Sequence, residues 1–244
     1  AQSALTNVDS KYVILGHESE SVREHILDDY KIVEQKEQLG TGHAVVTLLE
    51  SDDFKLDTSD YLIIIPGDVP LIDKNEIDKL IDSVTKNNST LGLITAEVQN
   101  PSGYGRIVRN KNKAKKIVEE SDASDDEKSI SEINSGIYCI HKEFLVSNIN
   151  NIKSDNAQNE FYLTDLIEIA FQKKQDAVIV QVIEDTIKGV NSMSQLNDVE
   201  DTLKEKLISA HMENGVYFQD PSTTYIDETV KIHSGTKIFA NCHL

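Results

Sequence analysis

The sequence is poor in positive charge, in cysteine and in long apolar runs, and each shortage narrows what it can be. Against 42 acidic side chains stand 24 basic ones, for a formal net charge of −18. A surface this acidic repels phosphate backbones and anionic lipid, which argues against nucleic acid and membrane as partners. Arginine occurs only at Arg23, Arg106 and Arg109, a matter of codon usage rather than chemistry. The two cysteines, Cys139 and Cys242, make no disulfide framework, and a cytoplasmic setting follows as the default. No uninterrupted apolar stretch approaches the ~20 residues of a membrane span, and no signal-peptide pattern opens the chain. What is present, 39% hydrophobic and 27% charged residues over 244 positions, is the composition of a globular protein. The length suits one full domain with a short appendage.

The first seven residues carry no pattern. Tyr12-Val13-Ile14-Leu15 then reads as a short buried strand ended by Gly16-His17, and residues 19–28 place Val22, Ile26 and Leu27 on one helical face. A second helix spans residues 41–50, with Ala44, Val45, Leu48 and Leu49 inward. The run Tyr61-Leu62-Ile63-Ile64-Ile65 suits a strand covered on both faces. A helix follows over 75–86, with Ile77, Leu80, Ile81 and Val84 at helical spacing, then a strand over 91–98. This alternation predicts an α/β domain, Rossmann-like, with helices over a mixed, mostly parallel sheet. Residues 106–109 and 115–120 read as a β-hairpin, expected as a lobe inserted over the sheet's carboxyl edge. Residues 121–129 read as a charged loop, 133–141 and 177–183 as strands, and 165–173 as a helix.

A long helix is expected from 191 to about Met212, with Leu196, Val199, Leu203 and Leu207 as its buried stripe and Gly215 as its cap. Beyond it the period changes. Ile226, Ile232, Ile238 and Leu244 lie six apart, and Thr224, Val230, Thr236 and Cys242 form a second register. Six-residue periodicity with one aliphatic per hexad marks a parallel β-helix; the alternative is an ordinary strand pair with accidental spacing.

Chemistry is expected at the carboxyl ends of the strands. There Asp68, inside Pro66-Gly67-Asp68-Val69-Pro70, either holds a divalent metal against phosphate or caps the next segment. Glu37-Gln38-Leu39-Gly40-Thr41-Gly42-His43-Ala44 leads a helix whose free amides suit a base or phosphate, though a glycine pair there is also an ordinary cap. His43 has no catalytic partner nearby. Ser102-Gly103-Tyr104-Gly105-Arg106 is a turn, or a loop that brings backbone against a sugar. Glu119, Asn134 and the Glu160-Phe161-Tyr162-Leu163-Thr164 segment carry groups that suit sugar hydroxyls, and each read singly is a solvated or capping residue. Asn191 is a carbonyl metal ligand or a helix cap.

Taken in order, these segments resemble one family. The stretches Gln38-Leu-Gly-Thr-Gly-His-Ala44, Gly67-Asp-Val-Pro-Leu-Ile72, Gly103-Tyr-Gly-Arg-Ile107, Ile117-Val-Glu119, Glu132-Ile-Asn134, Glu160-Phe-Tyr-Leu-Thr-Asp165 and Gly189-Val-Asn191 are similar to the uridyltransferase domain of the bacterial bifunctional N-acetylglucosamine-1-phosphate uridyltransferase/glucosamine-1-phosphate acetyltransferase. The hexads after residue 224 resemble the opening of that family's left-handed β-helix. The resemblance implies three parts: a nucleotidyltransferase domain over 1–191, a connecting helix over 192–215, and the start of the acetyltransferase β-helix over 216–244. It implies transfer of a uridylyl group from UTP to N-acetylglucosamine-1-phosphate, giving UDP-N-acetylglucosamine, a cell-wall precursor, and pyrophosphate. Gln35, Gly40 and Thr41 would recognise uracil. Gly105, Glu119, Asn134, Tyr162 and Thr164 would hold the sugar phosphate, and Asp68 and Asn191 would bind Mg²⁺. The parent protein would be a homotrimer through its β-helix.

Two departures accompany the likeness. No glycine-rich phosphate loop of the type L-x-A-G-x-G-T-R-M precedes Lys11, and most of the acetyltransferase β-helix would lie past Leu244. His233 therefore takes no acetyl-transfer role, and residues 1–244 by themselves are expected to turn over little. Three other readings compete. One is another sugar-1-phosphate nucleotidyltransferase, one a non-catalytic sugar-nucleotide-binding module, and one a scaffold assembled through the hexads.

Overall fold

The computed structural model describes residues 5, 8–16 and 20–244; His17 and residue 19 of the expected first helix lie outside them. The chain divides into two compact units. The first comprises residues 1–66 and 72–184, the second 67–71 and 185–244. No helix among the described residues is long and apolar enough to cross a membrane.

The first unit opens with β1 (Lys11–Leu15), α1 (Glu20–Arg23) and β2 (Tyr30–Glu34), in which β1 and β2 pair in parallel. The helix expected over 19–28 is shorter. It yields after Arg23 to tight turns closed by His25 N–H to the Val22 carbonyl and Ile26 N–H to the Arg23 carbonyl. Val22 and Leu27 are exposed as a result, 49% and 55%, so no buried face forms there. Next come α2 (Thr41–Glu50), α3 (Asp52–Lys55), β3 (Tyr61–Ile64), α4 (Lys74–Lys86) and β4 (Leu91–Glu97). Asp73 caps α4 by accepting from Asn75 N–H, and Ile77, Leu80 and Val84 form its buried stripe. Six of the seven residues of β4 are buried, as befits a strand covered on both faces.

The unit continues with β5 (Arg106–Asn110), β6 (Lys113–Val118), α5 (Asp125–Lys128), β7 (Glu132–His141), α6 (Lys142–Asn148), α7 (Asp165–Gln172) and β8 (Val178–Val182). Strand order in the main sheet is β6-β5-β7-β4-β8, with β3 also paired to β7. Two expectations are corrected here. The sheet is mixed, but not mostly parallel in its pairings: the ten-residue β7 inserts beside β3 and β4 and runs against both, while β4 and β8 pair in parallel. The hairpin is not a separate lobe either, because Arg106 pairs with Ile133 and so joins β5 to β7. The loop over 121–129 holds α5, closed by a capping box between Ser124 and Glu127. Leu91, Leu93, Ile140, Leu145, Leu166, Ile167 and Ala170 form the heart of the core. Fully burying each of its larger aliphatic side chains contributes ~1.5–3 kcal/mol.

The second unit contains α8 (Met193–Glu213), capped by Ser192 through Gln195 N–H. Its buried residues are Val199 and Ile208, and Leu203 of the expected stripe is 37% exposed. The helix turns instead through Ile208 onto Val216, Phe218 and Ile226, with Val230, Ile232 and Ile238 packed beside them. Then β9 (Tyr217–Phe218) pairs in parallel with β10 (Lys237–Ile238), and Tyr225 bridges His243 in parallel.

Candidate active site

Gln35 follows directly on β2 and is buried, its N–H donating to the Leu15 carbonyl at 2.8 Å. Its side-chain Nε2 reaches the Gly40 carbonyl at 3.2 Å and His43 Nδ1 at 2.9 Å. Those bonds commit its donor group inward and leave the amide oxygen as the group a base N–H would meet. His43 is thereby tied to Gln35 through Nδ1. Gly40 has φ +102°, and a Cβ there would lie 2.8 Å from the Phe161 carbonyl oxygen and 2.9 Å from its nitrogen. Only glycine fits both the left-handed backbone and that approach.

The same loop is stitched to the segment after α6. Phe161 N–H donates to the Leu39 carbonyl at 2.8 Å, and Gly42 N–H to the Phe161 carbonyl at 2.7 Å. Leu163 N–H donates to Thr41 Oγ1 at 3.0 Å. Residues far apart in sequence, suspected separately of meeting a base and a sugar, are therefore one rigid seam.

Around that seam the sugar candidates converge in part. Thr164 Oγ1 donates to Glu119 Oε1 at 3.1 Å, and a Cβ at Gly105 would lie 3.2 Å from Glu119 Oε2. Asn134 N–H donates to the Gly105 carbonyl at 2.8 Å. Gly105, Glu119, Asn134 and Thr164 are thus linked through direct contacts. Tyr162 is buried at the ring, but its hydroxyl donates to Gln158 Oε1 at 2.7 Å and lies 3.5 Å from Ser121 Oγ. Burial raises the Glu119 carboxyl above the ordinary carboxylate range, with the charges of Asp122, Asp165 and Glu160 adding to it and the Thr164 bond opposing.

One residue escaped the sequence reading. Tyr138 is buried, and its hydroxyl accepts from Asn134 Nδ2 at 2.8 Å. Burial, then the charge of Glu119, raises its phenol well above the ordinary range, so it stays a neutral hydroxyl. The only signal was its place in β7, four residues beyond Asn134 and hence on the same side of the strand.

In the second unit, Asp68 and Asn191 meet over Gly189. A point one bond from the Gly189 Cα lies 3.4 Å from Asp68 Oδ2 and 3.7 Å from Asn191 Nδ2. The backbone fixes this arrangement, since Val190 N–H donates to the Asp68 carbonyl at 2.8 Å and Asn191 N–H to Gln195 Oε1 at 2.8 Å. Both side chains are exposed. One carboxylate and one amide are the donor set of an ion that keeps most of its sites for water and substrate oxygens, which fits Mg²⁺ rather than Zn²⁺. No cluster of three or more His, Cys, Asp or Glu ligands occurs among the described residues.

Residues 2–186 match the family described as nucleotidyl transferase. Over 238 residues the chain is 39% identical to the bifunctional protein GlmU of Clostridium botulinum (strain Loch Maree / Type A3) and 42% identical to that of Clostridium beijerinckii (strain ATCC 51743 / NCIMB 8052). Each match covers 97% of this chain and 51% of the relative, so the chain spans about half the length of these curated relatives. In structure it is similar to a putative glucose-1-phosphate thymidylyltransferase from Bacillus anthracis in complex with a sucrose. That likeness has a TM-score of 0.60 at 18% identity and covers 78% of this chain and 74% of that one. A UDP-glucose pyrophosphorylase complexed with UDP-glucose matches with a TM-score of 0.57 at 16% identity, over 80% and 81% of the two chains. At such identities the likeness is one of fold, a mixed Rossmann-like α/β architecture.

Proposed function

The chain belongs to the nucleotidyl transferase family, and on that premise we propose that it transfers a uridylyl group from UTP to N-acetylglucosamine-1-phosphate, releasing pyrophosphate and UDP-N-acetylglucosamine. The observation that carries this reading is the seam between Leu39–Gly42 and Phe161–Leu163. It couples a glycine-led helix start, suited to a base, to the segment that holds Tyr162 and Thr164. Likeness to GlmU proteins along 97% of the chain supports the choice of uracil and amino sugar.

In this reading the Gln35 amide oxygen, with Gly40 and Thr41, meets the uracil edge. Gly105, Glu119, Asn134, Tyr162 and Thr164 orient the sugar phosphate. Its phosphate oxygen attacks the α-phosphorus of UTP in line, and the bond to the departing pyrophosphate breaks. No protein nucleophile is needed, so catalysis rests on positioning and charge. Asp68 and Asn191 would hold Mg²⁺, which when bound supplies neutralising charge to the phosphate oxygens.

The domain plan belongs to the same proposal: nucleotidyltransferase over 1–191, connecting helix over 192–215, and first coil of a left-handed β-helix over 216–244. Parallel pairing of Tyr217 with Lys237 and of Tyr225 with His243 supports the coil. A cytoplasmic homotrimer assembled through the β-helix is part of the same proposal.

A coupled pyrophosphate-release assay tests the reaction. Release that requires UTP, N-acetylglucosamine-1-phosphate and Mg²⁺ together, and that is slow for residues 1–244, is the expected result. Release that proceeds equally with dTTP or with glucose-1-phosphate would overturn the choice of substrates in favour of another sugar nucleotide.

A further inference from the structure

Arg106 is 1% exposed and ranks among the largest fully buried side chains of the protein. A cation so placed needs a reason, and its contacts give one. One terminal nitrogen, Nη2, lies 2.6 Å from Glu120 Oε2, and the other, Nη1, donates to the Tyr104 carbonyl. The same Glu120 oxygen accepts from Gly103 N–H at 3.1 Å. Both terminal nitrogens thus serve the loop 103–105, while Nε is buried with no partner among the described residues. An unpaired buried donor is costly, and the fold bears that cost to keep the guanidinium aimed at this loop.

The loop's other end is fixed by Asn134 N–H on the Gly105 carbonyl. Between the two anchors Gly105 lies so close to the hairpin that a Cβ would come within 2.9 Å of Ile117 Cγ2 and 3.2 Å of Glu119 Oε2. The neighbours Glu119 and Glu120 therefore play different parts. Glu119 faces Thr164 and Gly105, whereas Glu120 ties Arg106 to Gly103.

We propose that Arg106 and Glu120 are positioning residues for the amino-sugar phosphate, holding the 103–105 loop at the height where Gly105 leaves the Glu119 carboxylate open to the sugar. This rests on the sugar-site reading above. Neither side chain touches substrate. Lysine at 106 would keep the charge but lose the planar fork that spans Glu120 and the Tyr104 carbonyl.

Calorimetric titration of N-acetylglucosamine-1-phosphate and, separately, of UTP into the wild-type chain, Glu120→Ala, Glu120→Gln and Arg106→Lys tests the idea. Hydrogen exchange at the Gly103 amide is followed alongside. Glu120→Ala is expected to weaken the sugar phosphate about tenfold, in line with the cost of misplaced binding groups. UTP affinity should hold and Gly103 should lose protection, while Glu120→Gln, which keeps an acceptor for Gly103, restores most of the loss. Equal weakening of both ligands, or no weakening of either, overturns the proposal. Failure of the wild-type chain to bind the sugar phosphate at all would instead defeat the underlying reading, and the proposal with it.

Discussion

Thr164 donates its hydroxyl to the Glu119 carboxylate across 3.1 Å, tying the start of α7 to the end of β6. The bond opposes the burial that lifts the Glu119 carboxyl above the ordinary range. Because the folded chain holds that proton more tightly than the unfolded chain, stability falls as pH climbs from the ordinary carboxylate value through the raised one. A sugar hydroxyl donates more strongly to a carboxylate than to the neutral acid, so on the proposed reading sugar-phosphate binding is expected to strengthen across the same window. Glu119→Gln is therefore expected to raise neutral-pH stability by ~1 kcal/mol and to weaken the sugar phosphate, a trade of function for stability. Thermal melts and titrations at several pH values check both signs.

Gly40 offers a sharper test of the seam. Its φ of +102° and its contact with Phe161 make Gly40→Ala strained and crowded, at a cost of ~1–3 kcal/mol. Uridine-nucleotide affinity should fall with it. A Cβ at Gly67 meets nothing within 4 Å, so Gly67→Ala should leave stability within ~0.5 kcal/mol of wild type. Denaturant midpoints of the two variants make the comparison.

In the full-length protein, Asp68→Asn should raise the Mg²⁺ concentration needed for turnover and cut the rate sharply. Asn191→Ala, which on the proposed reading removes a neutral ligand, should act in the same direction but more mildly. Metal titrations of pyrophosphate release decide this, and unchanged metal dependence would return Asp68 to the role of a turn residue.

Cys139 is buried in β7, and burial pushes its thiol up to about 12. Thiolate is the reactive form, so iodoacetamide at mildly alkaline pH should modify the partly exposed Cys242 and spare Cys139 until the chain unfolds. Peptide mass spectrometry after timed labelling reads the result directly.

Much of the architecture was legible because periodicity reports burial. Ile77, Leu80 and Val84 sit inward on α4 at helical spacing, and the apolar run at Tyr61 is a strand. Where local pattern and tertiary pairing disagreed, the pattern misled. Val22 and Leu27 share a helical face on paper, yet the chain turns before that face can form. The hairpin's tie to β7 depends on the Arg106–Ile133 pairing, which lies across the chain and leaves no local trace. The motif glycines drew attention to Gly40 and Gly105, but not to what they lie against. Tyr138 was hidden in an apolar strand, and Arg106 carried no sign that it would be buried. Such contacts are set by register and loop closure rather than by neighbours in sequence.

The most direct measurement of the central claim is calorimetric titration of UDP-N-acetylglucosamine with Mg²⁺ into the wild-type chain and into Gly40→Ala and Glu119→Ala. Saturable binding at one site per chain is expected, weakened in both variants because each disrupts one half of a joined base-and-sugar pocket. Absence of binding to the wild-type chain, or binding indifferent to both substitutions, would contradict it.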